Sequence, residues 1–337
     1  MKSIKLPEYQ GNIIRALRSL ELTDMDTPIP EMDEVLIKVE AAPCNPSDLA
    51  FIQGGYNVMK VLPATPGFEG TGMVIETGNS PEAKELMGKR VSFFSQSDKG
   101  GSWASHIPVN AGDCIIIGDE LPSDMAACFS VNPFTAYAMV ELASERTSKA
   151  IIQNAAGGQV ARFINVLAGL KGIEVINIVR KEEQISMLKT LGYKHILWHL
   201  DDNFSQQLCK LATDLEAKVA FDAVGGEQSG HILQAMPHGS SLYLYGALGA
   251  RTLSEIPATD VIFKNKSILG FNLNEWKDQL PKEAFNKVAT ELEDLFISGK
   301  MHTQIQGSFK LSEHSDALMQ YIRNMSAGKV LLIPDEA

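Results

Sequence analysis

Ile151-Ile152-Gln153-Asn154-Ala155-Ala156-Gly157-Gly158-Gln159-Val160-Ala161-Arg162 is an apolar run that empties into a turn of small residues. Beyond it, Val160, Phe163, Ile164 and Leu167 recur at helical spacing. The stretch therefore reads as strand, tight turn and helix start, the geometry that lays a pyrophosphate on backbone N–H groups. Matched to G-x-G-x-x-G/A, the defining positions are Ala156, Gly158 and Ala161. Gly158 allows the phosphate close to the backbone, and Ala161 is small enough for tight helix–strand packing. Ala156, Gly157, Gly158, Gln159 and Val160 are the candidate contacts. An ordinary βα turn would look similar, so the next strand matters. It ends at Arg180-Lys181, about 20 residues downstream, where the residue that reads the ribose belongs. A cationic pair there, with no Asp or Glu at the strand end, favours the 2′-phosphate of NADPH over the free hydroxyl of NADH.

A chain of 337 residues leads us to expect two domains, or one large α/β unit with an appendage. An apolar fraction of 45% supports a full core, and a net charge of −11 disfavours nucleic acid or an anionic membrane as main partner. No apolar run approaches the ~20 residues that span a bilayer, and the first residues lack a signal-like segment. A cytoplasmic protein with a small-molecule substrate is expected. Cys44, Cys114, Cys128 and Cys209 are scattered without a C-x-x-C pair, so neither a disulfide framework nor a cysteine-rich zinc site is expected. His106, His195, His199, His231 and His238 likewise show no paired spacing.

The first third is β-rich, with short runs at 34–42, 71–77, 90–95, 103–109 and 114–117 bounded by Gly, Pro, Asp or Asn. From Leu121-Pro122 the pattern changes to a long helix over 124–142. Strands at 150–153, 174–179, 195–198, 219–223 and 242–245 then alternate with helices, and 268–273 is a candidate last strand. Such alternation predicts a doubly wound parallel sheet. The run 219–224, read as a buried strand, ends in Gly225-Gly226, a second turn against which a cofactor would lie. Helices at 282–298 and 313–324 and a strand at 330–333 are expected to fold back on the N-terminal β domain, leaving a cleft. The domains are thus 1–120, completed by 275–337, and 121–274.

Two further stretches carry candidate chemistry: Asn45-Pro46-Ser47-Asp48 with Gln53-Gly54-Gly55-Tyr56, and Pro66-Gly67-Phe68-Glu69-Gly70-Thr71-Gly72. Asp48 alone reads as a turn or cap residue, and Tyr56 as packing. Together with N-P-F-T-A-Y at 132–137, F-D-A-V-G-G at 221–226 and G-K-V-L-L-I-P at 328–334, however, they resemble the zinc-independent medium-chain dehydrogenase/reductases, which include quinone oxidoreductases and 2-enoyl thioester reductases. The motifs follow that family's order over nearly the whole chain. The resemblance implies a Rossmann domain plus a β-rich GroES-like catalytic domain.

Zinc-dependent members of the superfamily carry a Cys and a His where this chain has Asn45 and Phe68, so the resemblance implies no metal. It makes Tyr56 the proton donor to the α-carbon of an enoyl substrate, with hydride arriving from NADPH at the β-carbon. Asn45, beside the nicotinamide, would stabilise the enolate oxygen, and Trp276 would line the acyl pocket or else pack structurally. Further cofactor contacts implied are Thr135, Val224, Gly246, Phe271 and Leu273, with Lys329 placed to reach a phosphate. The family also pairs Rossmann domains edge to edge through the last strand, which implies a homodimer. A quinone reductase is the alternative enzyme, and a non-catalytic NADPH-binding protein the alternative of another class.

Overall fold

The computed structural model describes residues 1–335. The chain forms two compact units, one of residues 1–132 with the chain from 286 onward, the other of residues 133–285. These limits differ from the 120/121 and 274/275 boundaries expected. Ser130 and Val131 are tied to the first unit by hydrogen bonds to Phe93 and Glu69, and helix Lys282–Ile297 runs across the second limit.

In the first unit, β1 (Lys2–Lys5) and β2 (Glu21–Asp24) form a hairpin-like antiparallel pair. The main sheet contains β3 (Glu34–Pro43), β4 (Glu69–Thr77), β5 (Arg90–Phe94), β6 (His106–Asn110) and β7 (Cys114–Ile116). β4 and β6 both pair antiparallel with β3, β5 with β4, and β7 with β5. Val35, Ile37, Val39, Val74, Val91, Phe93, Trp103, Ile107 and Val109 fill its core, each worth roughly 1.5–3 kcal/mol when fully buried. Gly67, at the entry to β4, has φ +90°, and a Cβ there would lie 2.4 Å from Ser102 Oγ. Only glycine fits, and this turn sets the position of Phe68 and Glu69.

The second unit is one parallel sheet of β8 (Ala150–Gln153), β9 (Glu174–Val179), β10 (His195–Trp198), β11 (Val219–Asp222), β12 (Ser241–Leu244) and β13 (Ser267–Gly270). The strand order is β10-β9-β8-β11-β12-β13. β8 and β11 are buried along their whole length, as strands covered on both faces must be, which is why they read as continuous apolar runs rather than alternating ones. Order reverses between β8 and β11, and the crevice at the carboxyl ends of such a pair is where this fold binds ligands. The Rossmann architecture expected from the sequence is the one observed. β14 (Ile305–Lys310) and β15 (Lys329–Ile333) return to the first unit, where β15 lies antiparallel to β3 through Leu331–Pro43 and Leu332–Ala42.

Two expectations need correction. The single helix over 124–142 is two, Ser123–Ala127 and Asn132–Glu145. The break at 128–131 arises because Val131 N–H donates to Glu69 (2.9 Å) and Ser130 Oγ to the Phe93 carbonyl (2.7 Å), while Pro133 has no N–H to give. The last strand of the Rossmann sheet stops at Gly270. Asn272 then caps helix Leu273–Asp278 by accepting the Asn274 N–H at 2.9 Å, so Leu273 opens a helix rather than extending the strand. Among the described residues, no helix is long and apolar enough to cross a membrane.

Candidate active site

In the second unit the quoted turn is built as its sequence suggests. Ala155 takes a positive φ of 48°. Ala156 N–H donates to Ile178 O on the neighbouring strand, and Gly158 N–H to Ala155 O at 2.8 Å. Gly158 is the N-cap of helix Gln159–Leu170. The N–H groups of Val160 and Ala161 thus stand at the first turn, where helix geometry supplies no acceptor four residues back. A Cβ at Gly157 would sit 2.5 Å from Gln184 Nε2, and Gln184 Oε1 accepts the Lys181 N–H at 3.1 Å. The turn therefore carries closely spaced donors and no bulk, which fits a pyrophosphate.

Asp222, fully buried at the end of β11, organises the neighbouring turn. Its Oδ1 accepts Asn154 Nδ2 at 2.5 Å, Val224 N–H at 2.7 Å and Gly225 N–H at 3.0 Å, and its Oδ2 accepts Ser229 Oγ. One carboxylate thus locks the carboxyl ends of β8 and β11 together and places Val224. Gly246 lies so near that a Cβ on it would be 2.9 Å from Ala223 O. Phe271, just past β13, donates its N–H to Leu244 O.

Arg180 is exposed at the end of β9, its carbonyl accepting Trp198 Nε1 at 3.2 Å. Its guanidinium has no hydrogen bond or ion pair among the described residues. Lys181 differs, since its ammonium pairs with Glu183 at 3.2 Å. Thr135 is buried in helix Asn132–Glu145. Trp276, half-buried, packs its ring 6.3 Å from Tyr137.

In the first unit, Asn45, Asp48, Tyr56 and Lys329 come together around Phe68 and Glu69. Asn45 is the N-cap of helix Pro46–Ile52, with Pro46 at the first helical position. Asp48 Oδ2 accepts the Asn45 N–H at 2.7 Å. The Asn45 amide is held at both ends: Nδ2 donates to Glu69 Oε2 at 2.9 Å, and Lys329 Nζ donates to Oδ1. One Nδ2 hydrogen is left for a ligand. Lys329, expected to reach a phosphate, is 5% exposed. Burial raises the Glu69 carboxyl, against the opposing pull of Lys329, Asn45, Val131 and Ser130.

Tyr56 is half-buried, its ring 5.4 Å from that of Phe68. Its phenol oxygen accepts Gln96 Nε2 at 3.0 Å, and among the described residues the phenol proton has no acceptor. Burial raises its pKa first, the Asp48 charge second, while the Gln96 hydrogen bond lowers it. Lys60 lies over Phe51 and Phe68, 5.7 and 5.4 Å from their centroids, and donates to Gly100 O. Burial brings its ammonium down to about 8.

Sequence reasoning missed Glu69, Gln96 and Asp222, and treated Asp48 as a local cap. A signal existed for two of them, since Glu69 and Asp222 are lone carboxylates in apolar or glycine-rich strand ends, where an acid must find specific partners. Gln96 carries no such mark. Among the described residues, no group of three or more His, Cys, Asp or Glu could hold a metal ion.

With this geometry in view, the matches to known proteins are informative. Residues 31–119 match the alcohol dehydrogenase GroES-like domain and residues 160–292 the zinc-binding dehydrogenase domain. A mitochondrial enoyl-[acyl-carrier-protein] reductase of Caenorhabditis elegans is 30% identical over 318 residues, 92% of this chain and 89% of that protein. One from Xenopus tropicalis is 28% identical over 326 residues, 94% and 92% of the two chains. The crystal structure of a "putative NADPH:quinone reductase" from Mesorhizobium loti superposes with a TM-score of 0.92 at 32% identity, covering 99% of this chain and 98% of that one. A GroES-like β unit joined to a six-stranded Rossmann sheet, matched along nearly the full chain by such relatives, places this oxidoreductase in the medium-chain dehydrogenase/reductase superfamily, in its quinone oxidoreductase and enoyl reductase branch.

Proposed function

We propose that the protein is a zinc-independent, NADPH-dependent reductase of carbon–carbon double bonds conjugated to a carbonyl, with enoyl thioesters as the leading substrate class. The observation that carries the reading is Tyr56, a neutral phenol that receives a hydrogen bond from Gln96 and keeps its own proton unshared. The names of the enoyl reductase relatives point to the same substrate class. NADPH, when bound, would supply hydride chemistry for the β-carbon. Tyr56 would give its proton to the α-carbon, and the remaining Asn45 Nδ2 hydrogen would be a donor available to the developing enolate charge. Lys329 and Glu69 hold that amide in orientation. A screen of NADPH oxidation with crotonyl thioesters, linear enones and benzoquinones tests the proposal, and no turnover on any of them would leave a non-catalytic NADPH-binding protein. Quinone reduction is the second enzymatic reading, favoured by the Mesorhizobium loti protein's name.

Preference for NADPH is assigned to the free guanidinium of Arg180, whose fork matches a 2′-phosphate. Lys181, neutralised by Glu183, adds less. Arg180→Ala should weaken NADPH binding by roughly 1–3 kcal/mol and leave NADH nearly unchanged in a fluorescence titration. Equal or tighter NADH binding by the unaltered protein would refute the assignment.

Zinc independence rests on Asn45 and Phe68, neither of which can ligate the metal in this setting. A homodimer is proposed through β13, an edge strand with Leu269 exposed. Exposed Val261, Ile262 and Phe263 lie just before it in sequence and add apolar surface. One purified sample should therefore show no stoichiometric zinc by elemental analysis and a dimer mass by light scattering. The cytoplasmic location expected from the sequence stays part of the proposal, although the two enoyl reductase relatives are named mitochondrial.

A further inference from the structure

Two stretches well separated in sequence meet at the Tyr56 hydroxyl, and each is held by hydrogen bonds of its own. The loop that carries Tyr56 is pinned after it by Tyr9, whose hydroxyl accepts the Lys60 N–H at 2.7 Å and donates to the Lys60 carbonyl at 3.0 Å. Gln96 lies just beyond β5. There the antiparallel pairing of β4 with β5 ends at Glu69 opposite Phe94, and the Ser95 N–H donates to the Phe68 carbonyl at 2.7 Å. Phe68 therefore fixes the backbone beside Gln96 through its carbonyl and packs against Tyr56 through its ring. Lys60 Nζ also donates to the Gly100 carbonyl, so the 95–100 segment and the Tyr56 loop are joined at a second point besides the Gln96–Tyr56 hydrogen bond.

We infer that Gln96 is a positioning residue for proton delivery: its amide N–H, directed at the Tyr56 oxygen, leaves the phenol proton for the substrate and stabilises the phenolate that forms when that proton is given up. This rests on the reading of Tyr56 as proton donor.

A phenol oxygen carries one proton and can also accept. With Gln96 Nε2 donating from 3.0 Å, the O–H cannot point the same way, because two hydrogens would then meet. In the step concerned, the Tyr56 O–H bond breaks, the enolate electron pair forms the new C–H bond at the α-carbon, and a phenolate remains until solvent reprotonates it. The Nε2 hydrogen then donates to a full negative charge, and such hydrogen bonds are roughly twice as strong as neutral ones. The gain arises as the proton leaves and is absent from the ground state, so it acts on the rate and not on substrate binding. Burial and then the Asp48 charge raise the Tyr56 phenol, and the Gln96 hydrogen bond opposes both.

The test is steady-state reduction of a crotonyl thioester by wild type, Gln96→Leu, Gln96→Glu, Tyr56→Phe and the doubles of each Gln96 variant with Tyr56→Phe. Gln96→Leu should lower kcat by about tenfold, the difference between a hydrogen bond to a neutral oxygen and one to an anion. KM for the thioester, and NADPH affinity by fluorescence titration, should stay nearly unchanged. Gln96→Glu keeps the shape but puts an acceptor where the donor stood. Its carboxylate would hold the phenol proton and repel the phenolate, so kcat should fall about tenfold below that of Gln96→Leu. In the Tyr56→Phe background neither Gln96 variant should cost more, since the hydroxyl through which Gln96 acts is gone. The Gln96→Glu pair carries the same test if Gln96→Leu does not fold. Wild-type kcat in a Gln96 variant, a rise in KM alone, or additive losses in the doubles would overturn the role of Gln96 and leave Tyr56 as donor. Tyr56→Phe with wild-type rates would overturn the proton-donor reading itself, and with it this one.

Discussion

Replacing Tyr56 by Phe should lower enoyl thioester reduction by about 100-fold or more, the usual scale for loss of a general acid. NADPH affinity should stay nearly unchanged. The ring stays, so its contact with Phe68 is kept, and only the hydroxyl that accepts from Gln96 is removed. Gln96 loses an acceptor at a half-buried site, which solvent can replace, so folding should be little affected. Quinone reduction should fall much less. A quinone that takes hydride places its negative charge on oxygen, which solvent protonates quickly, whereas the α-carbon of an enolate needs a positioned acid. Steady-state kinetics of one mutant on both substrate classes therefore separates the two enzymatic readings. Equal activity of mutant and wild type on every substrate would reduce Tyr56 to a lining residue and remove the main support for enoyl reduction.

The second large effect should come from Lys329→Ala. The ammonium donates to Asn45 Oδ1 and counters the buried carboxyls of Glu69 and Asp48. Removing one partner from a buried charged set costs about 3–5 kcal/mol, because the charge left behind has no compensation. In thermal denaturation this corresponds to a midpoint lowered by roughly 10 °C for a unit of this size. Lys329→Arg should lose less, since it keeps the cation. Lys329→Met combined with Glu69→Gln should recover part of the loss by removing both charges. The Asn45 amide would be freed to rotate in Lys329→Ala, so the rate should fall even where the protein is still folded. A loss of stability below about 1 kcal/mol, the range of an exposed ion pair, would show that solvent reaches this ammonium.

The order of elements was decided by local signals that a sequence carries directly. Apolar runs such as Ala150–Gln153 and Val219–Asp222 announce strands buried on both faces, and the spacing of Phe163, Ile164 and Leu167 announces the helix between strands. Gly67 and the Ala155–Gly158 turn mark backbone shapes that few residues tolerate. Strand–helix alternation then leaves a doubly wound sheet as the natural arrangement. Tertiary structure decided what periodicity cannot encode. The helix expected at 124–142 is broken because Glu69, more than 60 residues upstream, takes the Val131 N–H. Lys329 is drawn from the surface role expected of a lysine into a buried contact with Asn45, 284 residues away along the chain. Asp48, by local reading a cap, is fully buried in the folded chain, and that burial, more than the Glu69 charge that adds to it, pushes its carboxyl up to about 7. Local backbone preference is a property of neighbouring residues and can be read from their order. Desolvation and charge balance depend on which distant segments meet, and only the folded chain determines that.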